Sequence, residues 1–226
     1  MSELIAPPVR RAALIFIFFT VLIDILAFGL IIPVLPHLIK IIGHYDFGAA
    51  AMMSGWFSVA FSAIQFVFAP ILGALSDRYG RRRVILISCF GLAIDFTFMA
   101  LATSIPMFFI GRVISAMTSA SFSTANAYLA DVTAPEKRAA AFGMLGSAFG
   151  IGFVIGPALG GMLGGIDLRL PFYVASGLAA LNFLYGLFVL PESLPVASRT
   201  KRFEWKRANP LGVLLVLKQY PAVLGL

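Results

Sequence analysis

Six long apolar runs dominate this sequence. They cover residues of about 12 to 39, 47 to 75, 83 to 102, 106 to 130, 138 to 163 and 170 to 190. Each run is long enough for an α-helix to cross the hydrocarbon core of a bilayer, which takes about 20 residues. The chain is 60% hydrophobic and only 12% charged, more apolar surface than a soluble core of this length can bury. The sequence therefore predicts an all-α integral membrane protein built as a six-transmembrane-helix bundle.

The positive charges are concentrated at one end of the predicted bundle. Arginines and lysines precede the first run or follow the second, fourth and sixth, whereas the other connections hold only Lys40 and Arg169. The basic residues of the larger group are Arg10, Arg11, Arg78, Arg81, Arg82, Arg83, Lys137, Arg138, Arg199, Lys201, Arg202, Lys206 and Arg207. Cationic loops are retained in the cytoplasm, so we expect residues 1–11 and this end of the bundle to be cytoplasmic. The net charge of +7 then reflects topology rather than nucleic-acid binding.

The chain divides into a bundle and a tail. Residues 12–191 hold the six predicted spans, and residues 192–220 form a basic linker with a short interfacial helix. Residues 221–226 resemble the first turn of a further span, so we expect the complete protein to continue beyond this sequence.

The sequence offers little for catalysis or for a resident cofactor. It contains no Ser/His pair, no paired metal ligands and no phosphate-binding loop after a strand. His37 and His44 fall near the predicted outer face, and Cys89 falls inside an apolar run, where packing is its expected role. We predict no enzyme activity, no cofactor and no metal site.

Three charged residues lie inside the apolar runs, away from their ends: Asp24, Asp95 and Arg112. The rise of a helix places both aspartates about 18 Å and Arg112 about 21 Å above the cytoplasmic face. Charges at this depth are costly, and they typically face a polar interior. We predict that Arg112 lies near one or both aspartates and that at least one aspartate takes up and releases a proton. The alternative is a static salt bridge that fixes helix packing.

Two amides lie near the same level, and two prolines lie above it, toward the outer end of the first run. Gln65 and Asn182 are predicted to line a substrate cavity, although buried amides also serve simply to join helices. Pro33 and Pro36 follow Asp24 in the first run and predict a bend there. A distorted helix beside a buried charge is typical of a binding cavity.

The fifth run carries glycines at intervals of four residues. Gly152, Gly156, Gly160 and Gly164 predict a groove that another helix backbone can approach closely, and Pro157 removes one internal hydrogen bond. This pattern suits a helix-five hinge in a protein that rocks between states. Tight static packing is the alternative interpretation.

These motifs resemble those of a known family. The turn Gly73-Ala74-Leu75-Ser76-Asp77-Arg78-Tyr79-Gly80-Arg81-Arg82 resembles the signature between helices two and three of the major facilitator superfamily. The run from Gly152 to Gly161 resembles the helix-five motif of its drug:proton antiporters, and Arg112 falls where their helix-four arginine stands. Similarity to the bacterial tetracycline-efflux proteins extends along nearly the whole chain through Leu22-Ile23-Asp24, Gln65-Phe66-Val67, Asp95-Phe96, Leu129-Ala130-Asp131 and Leu190-Pro191-Glu192-Ser193.

The resemblance implies a twelve-helix transporter of two six-helix halves that exports a drug in exchange for protons by alternating access. Asp24, Asp95 and Arg112 match positions tied to proton coupling, and Gln65 and Asn182 match substrate-binding positions. The residues that match a cytoplasmic gate are Gly73, Asp77, Arg78, Gly80, Arg81 and Arg82.

Two departures from the family pattern stand out. Arg83 replaces a proline usual after the paired arginines, and the stretch from Ser115 to Ala120 lacks glycines that are common there. Only the first half of the family's length is present, so the resemblance implies that a C-terminal six-helix half is missing.

The implied partners are that half, a small-molecule drug and the lipid bilayer of a bacterial inner membrane. Protons are the coupling ion, and any divalent cation arrives with the drug. The alternatives are a proton-coupled sugar or metabolite transporter, and a non-transporting half that needs a separate second half.

Overall fold

The fold, seen in a computed structural model that describes residues 7–200, is a bundle of long helices. The helices are α1 (Pro7–Gly43), α2 (Phe47–Tyr79), α3 (Arg81–Leu101), α4 (Ile105–Thr118), α5 (Ser121–Val132), α6 (Arg138–Ile166) and α7 (Leu170–Val189). Together α4 and α5 make the fourth span, so the helices provide six candidate membrane spans. This confirms the predicted six-helix class.

The boundaries differ from the prediction at the start of the chain. α1 begins at Pro7 rather than near residue 12, so part of the predicted N-terminal segment is helical. The predicted interfacial helix and the start of a further span lie outside the described residues.

Short connections make successive spans antiparallel neighbours. Asp46 caps α2 by accepting the Ala49 N–H at 2.9 Å. Prolines stand in the first turns of α4 and α7, where no internal hydrogen bond is lost. Gly80 joins α2 to α3 with φ of 103°, a conformation that favours glycine. We call the end of the bundle that holds Gly80 the arginine-rich end.

Two large hydrophobic clusters fill most of the described bundle, one toward each end. Near the arginine-rich end, residues 13–21 of α1 pack against α3, α5, α6 and the end of α7. Toward the opposite end, residues 27–39 of α1 pack against α2, α3, α4 and the start of α7. Asp24 lies on α1 between the two clusters. The bundle therefore has a polar level between two apolar layers.

The glycine groove of α6 faces α1. A Cβ at Gly156 would lie 2.8 Å from the Cα of Gly29 and 2.8 Å from the Leu26 carbonyl oxygen. A Cβ at Gly160 would meet the Leu30 carbonyl at 2.5 Å. Because these neighbours are backbone atoms, no change of side-chain rotamer can make room for an added methyl group. The glycines bring α1 and α6 into close backbone contact.

The first span does not break at its prolines, whereas the fourth span breaks at Ser119 and Ala120. α1 continues as one helix through Pro33 and Pro36. In the fourth span the Ala120 N–H donates to the Thr118 carbonyl at 2.8 Å, and Ser119 has φ of −76° and ψ of 73°, a three-residue turn. The Thr118 hydroxyl donates to the Ile114 carbonyl at 3.0 Å, which competes with the backbone ladder.

We expect Gly156→Ala to lower the free energy of unfolding by about 1–3 kcal/mol, because the added methyl group forces α1 and α6 apart. The measurement is thermal unfolding of the purified chain in detergent.

Gly161→Ala is the matched control, because a Cβ at Gly161 meets no heavy atom within 4 Å. Equal melting temperatures for the two variants would contradict the close contact of α1 with α6.

Candidate functional site

A cavity of about 370 Å³ opens at the polar level of the bundle. Five of the six spans contribute side chains to its wall, and the sixth does not. Its polar lining residues are Asp24, Gln65, Ser88, Arg112, Ser115, Ser119, Ser121 and Ser123. Its aromatic lining residues are Phe28, Phe61, Phe96, Phe122, Phe149 and Phe153. Polar groups set into a mostly apolar, aromatic wall are typical of sites for small organic molecules.

Arg112 and Asp95 form a buried ion pair beside this cavity. The Arg112 Nη1 lies 3.1 Å from the Asp95 Oδ2, and the Asp95 side chain is fully buried. The Arg112 guanidinium also lies 4.4 Å from the centroid of the Phe61 ring, within cation–π distance. One cation thus contacts both a carboxylate and the aromatic wall.

Asp24 is placed differently from Asp95. It lines the cavity, and it forms no ion pair with any residue between 12 and 200. Its Oδ1 atom, like the Oδ1 of Asp95, is buried without a hydrogen-bond partner in that same range. A carboxylate in such a position is costly when it is ionised. Of the two membrane-embedded aspartates, Asp24 is the one that a proton or a cationic ligand can neutralise from the cavity.

The two predicted amides have different surroundings. Gln65 lines the cavity, and its Nε2 donates to the Ser119 Oγ at 3.0 Å, beside the break in the fourth span. The structure places Asn182 outside the cavity lining. Its Nδ2 donates to the Thr20 Oγ1 at 3.1 Å, and it is 5% exposed. This position matches the alternative interpretation, in which the amide joins neighbouring helices.

The predicted gate residues lie at the arginine-rich end. Arg81 pairs with Asp77 one turn earlier and with Asp131 of α5, whose Oδ2 lies 3.3 Å from the Arg81 Nε. Its Nη1 also donates to the Ser76 hydroxyl at 2.6 Å. The guanidinium therefore holds the α2–α3 turn against α5.

The other gate residues contribute less to this network. Arg82 donates to the Leu187 carbonyl at 2.6 Å, and the Arg78 guanidinium lies 5.1 Å from the ring centroid of Tyr79. A Cβ at Gly73 would meet no atom within 4 Å, so no close approach requires a glycine there.

No role was predicted from the sequence for several residues at the cavity and at the arginine-rich end. Ser88 and Ser119 support the break in the fourth span, Phe61 contacts Arg112, and Glu192 contacts the α2–α3 turn. Glu192 had two signals, its charge directly after the last apolar run and its place in the shared stretch Leu190-Pro191-Glu192-Ser193.

Comparison with known proteins gives the family. Residues 17–226 match the family model of the Major Facilitator Superfamily. The chain belongs to this superfamily. The class C tetracycline resistance protein of Escherichia coli is 44% identical over 181 residues, which cover 80% of this chain and 45% of that protein. Multidrug resistance protein 2 of Bacillus subtilis is 30% identical over 84% of this chain and 46% of that protein.

Solved structures of the superfamily share the same fold. The human organic anion transporter MFSD10 superposes with a TM-score of 0.79 at 30% identity, over 92% of this chain and 55% of that one. The chain spans about half the length of the curated relatives it matches. These relatives are named as resistance proteins or transporters rather than enzymes, in agreement with the predicted lack of enzymatic activity.

We expect Asp95→Asn to lower the free energy of unfolding by about 3–5 kcal/mol, because it leaves Arg112 buried without its counter-ion. Adding Arg112→Gln to the Asp95→Asn variant restores part of the lost free energy of unfolding, since two neutral amides then replace the ion pair. Thermal unfolding of the two single variants and the double variant gives the coupling energy.

Asp46→Asn is the control, because asparagine caps a helix as well as aspartate does. Additive effects of the two substitutions would contradict the ion pair.

Proposed function

We propose that this chain is the N-terminal half of a proton-coupled drug exporter of the tetracycline-efflux type. The observation that carries the proposal is Asp24, a carboxylate on the wall of a mostly apolar cavity that forms no ion pair among the described residues. An acid inside a membrane bundle is expected to take part in ion or substrate movement. The names of the relatives supply the class of cargo.

Asp24 exchanges its proton, and Asp95 does not. Arg112 neutralises Asp95 at 3.1 Å, whereas the Asp24 carboxylate has no counter-charge in the cavity wall other than that same arginine. Either a proton or a cationic drug relieves the cost of burying it. Because one occupant excludes the other, drug and proton alternate at Asp24, which is the requirement for exchange across the membrane.

The aromatic wall binds the apolar rings of the drug. The rings of Phe149 and Phe153 stack with centroids 6.0 Å apart, and Phe122 packs edge-on against Phe149. Gln65 offers an amide for the polar groups of the drug at the same level. The volume of about 370 Å³ lies within the range of drug-sized sites, about 300–1,000 Å³.

The arginine-rich end is cytoplasmic, and the membrane is the bacterial inner membrane. This orientation follows from the retention of positively charged connections inside the cell. Alternating access requires a C-terminal six-helix half that moves against this one. The protein uses protons rather than a bound cofactor, and a divalent cation travels with the drug.

We expect Asp24→Asn to abolish proton-driven drug uptake while leaving equilibrium drug binding within about tenfold, because the amide keeps the shape of the side chain but cannot exchange a proton. The measurement is tetracycline uptake into inverted vesicles under an imposed proton gradient. The vesicles contain this chain assembled with a C-terminal half.

Asp167→Asn is the matched control, because it removes the same charge from an exposed position at the opposite end of the bundle. Full proton-driven uptake by the Asp24→Asn protein would overturn the role of Asp24. Absence of uptake by the unsubstituted assembly would exclude tetracycline as the cargo. A sugar, a metabolite or another drug would then be the remaining candidates.

A further inference from the structure

The segment after α7 folds back onto the arginine-rich end of the bundle. We call residues 190–200 the strap. Leu190 and Leu194 are buried at 2% and 8% exposure. The Tyr128 hydroxyl donates to the Pro191 carbonyl at 3.1 Å, and the Thr200 N–H donates to the Asp77 carbonyl at 3.1 Å. Both ends of the strap are therefore held against the helices.

Glu192 is the centre of these contacts. Its Oε1 accepts the Arg81 N–H at 2.8 Å and the Leu194 N–H at 3.2 Å, and its Oε2 lies 3.5 Å from the Arg199 Nη2. Arg81 is the first residue of α3, whose initial N–H groups have no partner inside the helix. Gly80, at the capping position, has no side chain to accept them. A carboxylate 111 residues away in sequence therefore caps α3.

The strap also contacts both acids that hold the Arg81 guanidinium. The Ser193 hydroxyl donates to the Asp131 Oδ2 at 3.1 Å, the same oxygen that lies 3.3 Å from the Arg81 Nε. Thr200 binds the backbone of Asp77, the other acid. The strap thus contacts the Arg81 N–H and both of the acids that pair with the Arg81 guanidinium.

Gly80 gives independent evidence that the strap and the turn fit together. A Cβ built at Gly80 would overlap the Glu192 carboxylate and approach the Arg199 Nη2 to 2.9 Å. The backbone there has φ of 103°. A side chain at this position would be strained and would also displace the carboxylate that caps α3.

We propose that Glu192 is a positioning residue for the gate, through which the strap sets the arrangement of Arg81, Asp77 and Asp131. Movement of the strap pulls the cap from α3 and loosens the turn, which couples the second half to the gate. This inference rests on the proposed function for its role in transport. The contact itself rests on geometry alone.

The first test is amide hydrogen exchange of the 226-residue chain in lipid nanodiscs. Glu192→Ala removes the acceptor, so we expect amides at Arg81, Leu194 and Thr200 to exchange about five- to tenfold faster, as for the loss of a helix cap. Glu192→Gln keeps a carbonyl oxygen for the Arg81 N–H but loses the charge that pairs with Arg199. It should preserve protection at Arg81 while Thr200 exchanges faster.

Glu136→Ala is the matched control, because Glu136 is an exposed acid at the same end with no ion pair among residues 12–200. Unchanged exchange at Arg81 in Glu192→Ala, or an equal increase in Glu136→Ala, would overturn the proposal.

The second test measures drug transport by the chain assembled with a C-terminal half. Glu192 lies outside the cavity lining, so Glu192→Ala should lower the maximal rate by about tenfold and leave the KM for drug unchanged. The Gln variant should recover part of the rate. A raised KM with an unchanged maximal rate would contradict a positioning role. If the unsubstituted assembly moves no drug, the proposed function fails, while the exchange experiment still decides whether Glu192 holds the gate.

Discussion

The absence of water in the hydrocarbon core is the constraint on which this structure depends, because every backbone polar group there needs a partner within the protein. Where the fourth span breaks, Ser88 accepts the Ala120 N–H at 3.3 Å. Where helices end, arginines donate to the last carbonyls: Arg82 to Leu187, Arg138 to Ala130 and Thr133, and Arg169 to Ala100 and Ala102. The basic residues that indicate topology therefore also complete the helix ends.

The absence of water also requires that the polar side chains inside the bundle find partners within the protein. Asp95 is paired with Arg112, and Asn182 with Thr20. Asp24 differs from them, since it lines the cavity and forms no ion pair with any residue between 12 and 200. The helices satisfy most of the buried polar groups, but one acid, Asp24, faces the cavity without an ion-pair partner among the described residues. The Asp24 side chain is therefore stable there only when a proton or a cationic ligand neutralises its charge. This reasoning, rather than the presence of charge alone, separates Asp24 from Asp95.

The sequence predicted what depends on length, periodicity and local charge. The six spans follow from the apolar runs, and helix rise alone placed Asp95 and Arg112 near one level, where they pair. The break at Ser119 was missed because Gln65 and Ser88, the polar partners of Ser119 and Ala120, lie on other helices. The cap that Glu192 places on α3 was missed for the same reason, since its partner is 111 residues away.

The two functional regions differ in how complete they are within this chain. At the arginine-rich end, Arg81 finds its acids on α2 and α5 and its cap on the strap, all inside the same six helices. The cavity is open instead, and the aromatic rings at its wall, Phe122, Phe149 and Phe153, are 47%, 44% and 47% exposed. A drug bound there would meet protein on one side only. The proposed gate is therefore complete within this half, whereas enclosure of the proposed drug requires the second half.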